Sequence, residues 1–226
     1  MATTLANLQI DARFHANDSE LDLTGAAALR IVNLVYQSLC TPGGTLGGRR
    51  IGRRWPELIR QNTSLTTTAG TETYTFPTSP VFKSGEWTLE LLRAAQSSEP
   101  YFIDEATDEG EWSALDWATN AIPERYRLLH NGTAVVLALR PKPDTTGDTL
   151  RITGLIEATD MTASNNTVFR EAQHDRALAI LIAAEWKRMR LEPDRASELM
   201  FQALSLLPRN RVGIDRPQPT LQAWAT

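Results

Sequence analysis

The feature that most constrains this chain is a double switch in the period of its apolar residues. Between Glu20 and Leu39 they recur at helical spacing: Ala28, Val32, Val35 and Leu39 share one face, and Leu21, Leu29, Ile31 and Leu34 widen it. Thr41-Pro42-Gly43-Gly44 ends that helix. From Leu65 the texture is that of strands. Thr66–Thr68 and Thr71–Phe76 are rich in β-branched and aromatic residues, with a tight turn at Ala69-Gly70. Trp87–Leu92, Leu128–Leu139 and Thr149–Ile156 follow as strands, and His130-Asn131-Gly132-Thr133 reads as a hairpin turn. After Asn165-Asn166-Thr167 the helical period returns over Glu171–Leu191. It stops at Pro193 and resumes to Leu207.

A chain that reads helix, strands, helices is expected to be α+β. The expected plan is a helical bundle made from the N-terminal helix and a C-terminal helical hairpin. An antiparallel β-rich region is inserted between them, and an extended tail follows. The spans are 1–64 for the first helix and a Gly/Arg-rich loop, 65–160 for the β-rich region, 168–207 for the hairpin and 208–226 for the tail. Residues 1–19 read as polar and mixed, with Asn17-Asp18-Ser19 as a turn cluster able to cap a following helix.

Composition narrows the function classes. The chain has 226 residues, 42% hydrophobic and 22% charged, and a net charge of −4. That suits a folded protein and argues against gripping nucleic-acid phosphates over the whole surface. A single cysteine, Cys40, excludes an internal disulfide and a cysteine-based zinc cluster. Met1–Ala16 lacks the apolar centre of a signal peptide, and the longest apolar run, Ala177–Ala184, is too short to span a bilayer. A soluble, reduced, intracellularly made protein without membrane partners is expected.

Tests for chemistry point away from catalysis. Gly43–Gly52 holds five glycines, yet Gly47-Gly48 is followed by Arg49-Arg50, with no lysine and hydroxyl placed as in a P-loop. A flexible basic contact loop is expected there. The stretch Asp104, Glu105, Asp108, Glu109, Glu111 lacks the glycine and terminal glutamate of a calcium loop and reads as a solvated acidic loop. His15, His130 and His174 show no metal spacing. No catalytic residue, metal or cofactor is assigned. What remains is charge: Arg49, Arg50, Arg53 and Arg54 in the loop, and Arg209, Arg211 and Arg216 in the tail. Such patches contact DNA phosphates, an acidic protein surface or water alone.

The order of several short motifs resembles the head-to-tail adaptor proteins of tailed bacteriophages. Trp55-Pro56-Glu57-Leu58 and then Glu72-Thr73-Tyr74-Thr75-Phe76-Pro77 look like that family's entry to its β-region. Ile122-Pro123-Glu124-Arg125-Tyr126, the strand from Val135 and Arg140-Pro141-Lys142-Pro143 resemble its central passage. Thr149–Leu155 matches the following strand, and Glu198, Phe201, Ala203 and Leu204 fit its closing helices. The resemblance covers Glu20–Leu207; the Gly43–Gly52 loop departs from it.

The resemblance implies a structural virion protein at the head–tail junction, assembled in the host cytoplasm. It implies identical subunits in a ring, usually twelve, between the portal protein and a tail or neck component. Genomic double-stranded DNA would pass through the ring without tight binding. The tail would reach the portal through Arg209, Arg211, Ile214, Arg216, Leu221 and Trp224. The arginine loop would contact DNA or a neighbouring subunit. The acidic residues Asp104, Glu105, Asp108, Glu109 and Glu111 are its candidate partners across a subunit interface. Two other functions stay open: a DNA-binding module using the arginine loop, and a hydrolase with paired carboxylates among Asp104, Glu105 and Glu111.

Overall fold

Apolar periodicity turns into the following elements in a computed structural model that describes residues 3–18, 25–95, 99–115, 118–130, 132–162 and 164–208. In chain order they begin with helices α1 (Leu5–Ala16) and α2 (Ala26–Cys40). Strands β1 (Thr45–Leu46), β2 (Arg49–Arg50), β3 (Ile59–Thr66), β4 (Thr73–Thr75), β5 (Phe82–Leu92) and β6 (Tyr101–Glu105) come next. Helix α3 (Glu109–Ala114) precedes β7 (Asn120–Ala121), β8 (Arg125–His130), β9 (Val135–Arg140), β10 (Lys142–Pro143) and β11 (Thr149–Ile156). Helices α4 (Ala172–Met189) and α5 (Pro193–Leu206) close the described chain. The fold is α+β, in two units: 1–55 with 159–226, and 56–158.

Helix α1 lies within residues 1–19, a stretch read from sequence as polar and mixed with no helix assigned. The Thr4 hydroxyl accepts from the Asn7 N–H at 3.3 Å, capping the first turn. Leu5, Leu8, Ala12 and Ala16 make its buried stripe. Half of that stripe is alanine, which carries too little apolar bulk to stand out as a period.

The helical unit is organised by α4, against which α1, α2 and α5 each pack. Every residue from Ala177 to Ala184 is buried, which is why that stretch is apolar all round rather than striped. Two carboxylates, Asp175 and Asp18, are met by donors at its ends. Asp175 accepts from the hydroxyls of Thr167 at 2.5 Å and Thr3 at 2.9 Å. Burial still raises its pKa above the ordinary value, the two hydrogen bonds opposing. At the other end Asp18 accepts from Trp186 Nε1 at 3.0 Å and Arg190 Nη1 at 2.8 Å. Trp55 donates to the Leu39 carbonyl at 3.0 Å and packs on Phe169, with ring centroids 4.4 Å apart.

The sheet unit holds seven strands in the order β3-β11-β5-β6-β8-β9-β4. Strand β11 is central to one half, antiparallel to both β3 and β5. Phe82, Leu89, Leu91, Tyr126, Leu137 and Ile152 belong to its core. The expected antiparallel region is corrected to a mixed sheet: β6 and β8 are parallel, as are β7 and β10. Parallel neighbours need a long crossover, and α3 lies on the one between β6 and β8. The acidic stretch read as a loop is therefore partly helix. The turn at Ala69-Gly70 exists, with Thr71 N–H bonding to the Thr68 carbonyl at 3.0 Å. The strands around it do not pair: β3 and β4 form opposite edges of the sheet. Strands β8 and β9 form the expected hairpin, pairing His130 with Val135; Asn131 of its turn lies outside the described residues.

One backbone position works against stability. Helix α4 ends with the Glu192 N–H on the Lys187 carbonyl and the Leu191 N–H on the Arg188 carbonyl. This closure puts Leu191 at φ 60, where glycine is the residue of choice. Its side chain is 87% exposed, so little packing is lost on its removal. Leu191→Gly is expected to raise unfolding free energy by about 1 kcal/mol, measured in urea with an unchanged denaturant slope.

Candidate functional site

The arginine loop is built rather than loose. Strands β1 and β2 pair antiparallel, Thr45 with Arg50 and Leu46 with Arg49, round a Gly47-Gly48 turn with φ of 54 and 76. The base of this ribbon is clamped on the end of α2. A Cβ on Gly52 would stand 1.9 Å from the Thr41 carbonyl oxygen, so only glycine lets the two backbones meet. The flexible loop expected from the glycine content is corrected to an ordered hairpin: its glycines serve turn and contact geometry.

The ribbon displays Arg49 and Arg50 to solvent, and Arg54 is exposed beyond it. Arg53 has a different task. It donates to the carbonyls of Ile51 at 3.0 Å, Gly52 at 3.1 Å and Pro208 at 2.9 Å. Burial, and then the charge of Arg50, pull its pKa below the ordinary arginine value. Arg53 thus ties the last described residue to the ribbon. The tail residues Arg209, Arg211, Ile214, Arg216, Leu221 and Trp224 lie outside the described residues.

The acidic candidates gather round arginines that sequence order does not reveal. Asp108 caps α3, accepting from the Glu111 N–H at 2.6 Å. Glu111 pairs with Arg125 at 2.7 Å, and Glu109 with Arg127 at 2.5 Å. Asp104 lies 3.5 Å from the Arg125 guanidinium, while Glu105 is exposed on β6. Trp112 of α3 takes the Arg140 guanidinium over its ring at 4.4 Å, and Arg140 pairs with Glu72 at 3.0 Å. Strands β8 and β9 therefore supply the cations for an acidic segment that has none of its own.

For Glu111, one of the candidate carboxylates, this arrangement speaks against the role of a general acid. A general acid needs a raised pKa. The hydrogen bond from Arg127 lowers that of Glu109, and the hydrogen bond from Arg125 lowers that of Glu111, helped by the Thr107 N–H. Among the described residues no three His, Cys, Asp or Glu side chains come together as metal ligands. Cys40 is buried in the helical unit.

Two outcomes follow. Arg53→Ala removes the anchor of Pro208, so limited proteolysis should cut after residue 208 several-fold faster while the helices resist. The ion pairs of α3 give the second. Their carboxylates have folded pKa values below the usual 4.5, so their stabilisation is complete above that pH. It is lost as pH falls through the lower folded values. Amide exchange of Glu109–Ala114 should accelerate in that acid window, and Arg127→Gln should abolish part of the pH dependence.

Sequence reasoning missed the outward face of α1 together with the helix itself. The signal was present as Thr4 followed by Leu5, Leu8 and Ala12. No described helix is long and apolar enough to cross a membrane. Among curated proteins, none matches the chain. The sequence model of one family, described as SU10 adaptor protein, matches residues 3–220. With nearly all of its length matched, and with the motif order of a phage head–tail adaptor, the chain belongs to the SU10 adaptor protein family.

Proposed function

We propose that this protein is a ring-forming adaptor that joins the capsid portal to the tail of a bacteriophage and frames the DNA channel between them. The family is one of phage structural adaptors, not of enzymes, which makes the protein a virion component. The finer reading is a closed ring of about twelve copies. In that ring the helical bundle, its C-terminal hairpin included, faces the portal, and residues 209–226 reach into it through Arg209, Arg211, Ile214, Arg216, Leu221 and Trp224. The observation that carries it is the Arg53–Pro208 contact, 2.9 Å long, which starts the arginine-bearing tail beside the arginine ribbon. In this reading the arginines of tail and ribbon serve one partner, and Leu221 and Trp224 supply apolar anchors on it.

Arg49, Arg50 and Arg54 serve in this reading as contacts to protein or to passing DNA. Few phosphates are neutralised per subunit, so the genome slides instead of sticking. Asp104 and Asp108, although bonded within the chain, and Glu105 are exposed and serve in this reading as contacts between subunits. The rival reading, a DNA-binding module, rests on the same ribbon and requires strong salt-dependent affinity for duplex DNA.

Light scattering of the protein alone and mixed with its portal separates these readings. The adaptor forms a large complex of fixed stoichiometry with portal, and deletion of residues 209–226 lowers its affinity about tenfold or more. A protein that ignores portal but binds duplex DNA with a steep salt dependence is not an adaptor of this kind.

A further inference from the structure

Helices α1 and α2 each give one side to α4 and turn the other outward. The outward side of α1 carries Asn7, Ile10, Asp11 and Phe14, four residues brought together by helical spacing. Ile10 is 66% exposed and Phe14 79%. The outward side of α2 carries Ala26, Arg30 and Leu34, the last 53% exposed. Each face sets apolar side chains beside one charged residue, and the two charges are opposite.

Several charges of this unit are met within the chain. Glu185 pairs with Arg188, Lys187 with Glu192, Arg190 with Asp18 and Arg195 with Glu198. Neither Asp11 nor Arg30 closes an ion pair or a side-chain hydrogen bond with another described residue. The third helix round α4, α5, exposes Phe201, but its Arg195 and Glu198 already satisfy one another.

We infer that the α1 face of one subunit docks on the α2 face of the next copy of this chain, Ile10 and Phe14 packing on Leu34 while Asp11 meets Arg30. This rests on the ring reading above and names the surfaces that close the ring. Charge decides the geometry. Packing α1 on α1 sets Asp11 against Asp11, and α2 on α2 sets Arg30 against Arg30; both are repulsive. Only α1 on α2 matches apolar surface with apolar surface and acid with base. That contact uses two different patches of one subunit, so it is heterologous, the type that generates rings when the rotation closes. The acidic segment near α3 is a weaker partner, because Glu109 and Glu111 are already paired within their own chain.

The test is a charge swap on the full chain, followed by sedimentation velocity over a range of concentrations, alone and with portal protein. The variants are Asp11→Arg, Arg30→Asp and the double Asp11→Arg/Arg30→Asp. Both positions are exposed, so each variant should melt within a few degrees of the wild type, which separates assembly from folding. Each single reversal is expected to raise the concentration needed for assembly about tenfold or more, and the double variant to return it to within about threefold of the wild type. Wild-type rings that the single reversals leave intact overturn the α1-on-α2 pairing and spare the ring reading. Assembly lost in Asp11→Arg and not restored by Arg30→Asp overturns the pairing too, and assigns the α1 face to residues 209–226 or to a different protein. A wild type that stays monomeric at every concentration, with and without portal, overturns both.

Discussion

The structure of the helical unit depends on withdrawing one helix from water on all sides. Ile180, Leu181 and Ile182 are fully buried, and each such side chain contributes about 1.5–3 kcal/mol relative to exposure. Three helices are held by that burial, so their inner faces are committed and their outer faces are free for other work. The same burial sets the electrostatics at the ends of α4. Asp175 and Tyr36 sit in an environment that penalises charge, and both have pKa values raised chiefly by desolvation. Tyr36 stays neutral and accepts from the Val168 N–H at 3.1 Å, pinning the approach to α4.

The sheet unit uses a different device. Its short helix α3 buries one tryptophan and holds its place mostly by charge. Arg125 and Arg127 of β8 and Arg140 of β9 reach Glu111, Glu109 and Trp112. The paired side chains keep between 19 and 73% of their exposure, so each pair is modest in energy and sensitive to salt. Their value is directional: an arginine that pairs with a carboxylate and covers an indole gives α3 one seat on the sheet. The segment that looks most available for outside contacts is thus largely occupied at home.

Much of the fold was legible in the sequence because it follows from period. The long helices α2, α4 and α5, the β8–β9 hairpin and the alternation of β11 all announce themselves through apolar spacing and turn chemistry. What was hidden has physical reasons. Helix α1 packs through alanines, and small residues leave a faint periodicity. The parallel pairing of β6 with β8 is a tertiary choice that neither strand encodes alone. The Gly43–Gly52 stretch looks mobile by composition, yet Gly52 is required by a close approach to the Thr41 carbonyl. Site residues follow the same division. Arg49, Arg50, Arg53 and Arg54 are visible as a cluster, but the role of Arg53 as a tether for Pro208 spans about two thirds of the chain and emerges only in the folded state. The pairing of Glu109 and Glu111 with β8 is equally non-local.

Together these features describe a helical unit packed round α4, with a basic ribbon on its outside and Pro208 held at that ribbon. Amide exchange of the full chain, alone and with portal, tests that account most directly. The account predicts that amides from Ala177 to Ala184 exchange only through global unfolding in both states. New protection on docking should fall on Thr45–Arg50 and on residues 209–226. Exchange of α4 through local opening, or new protection confined to the sheet unit, would contradict it.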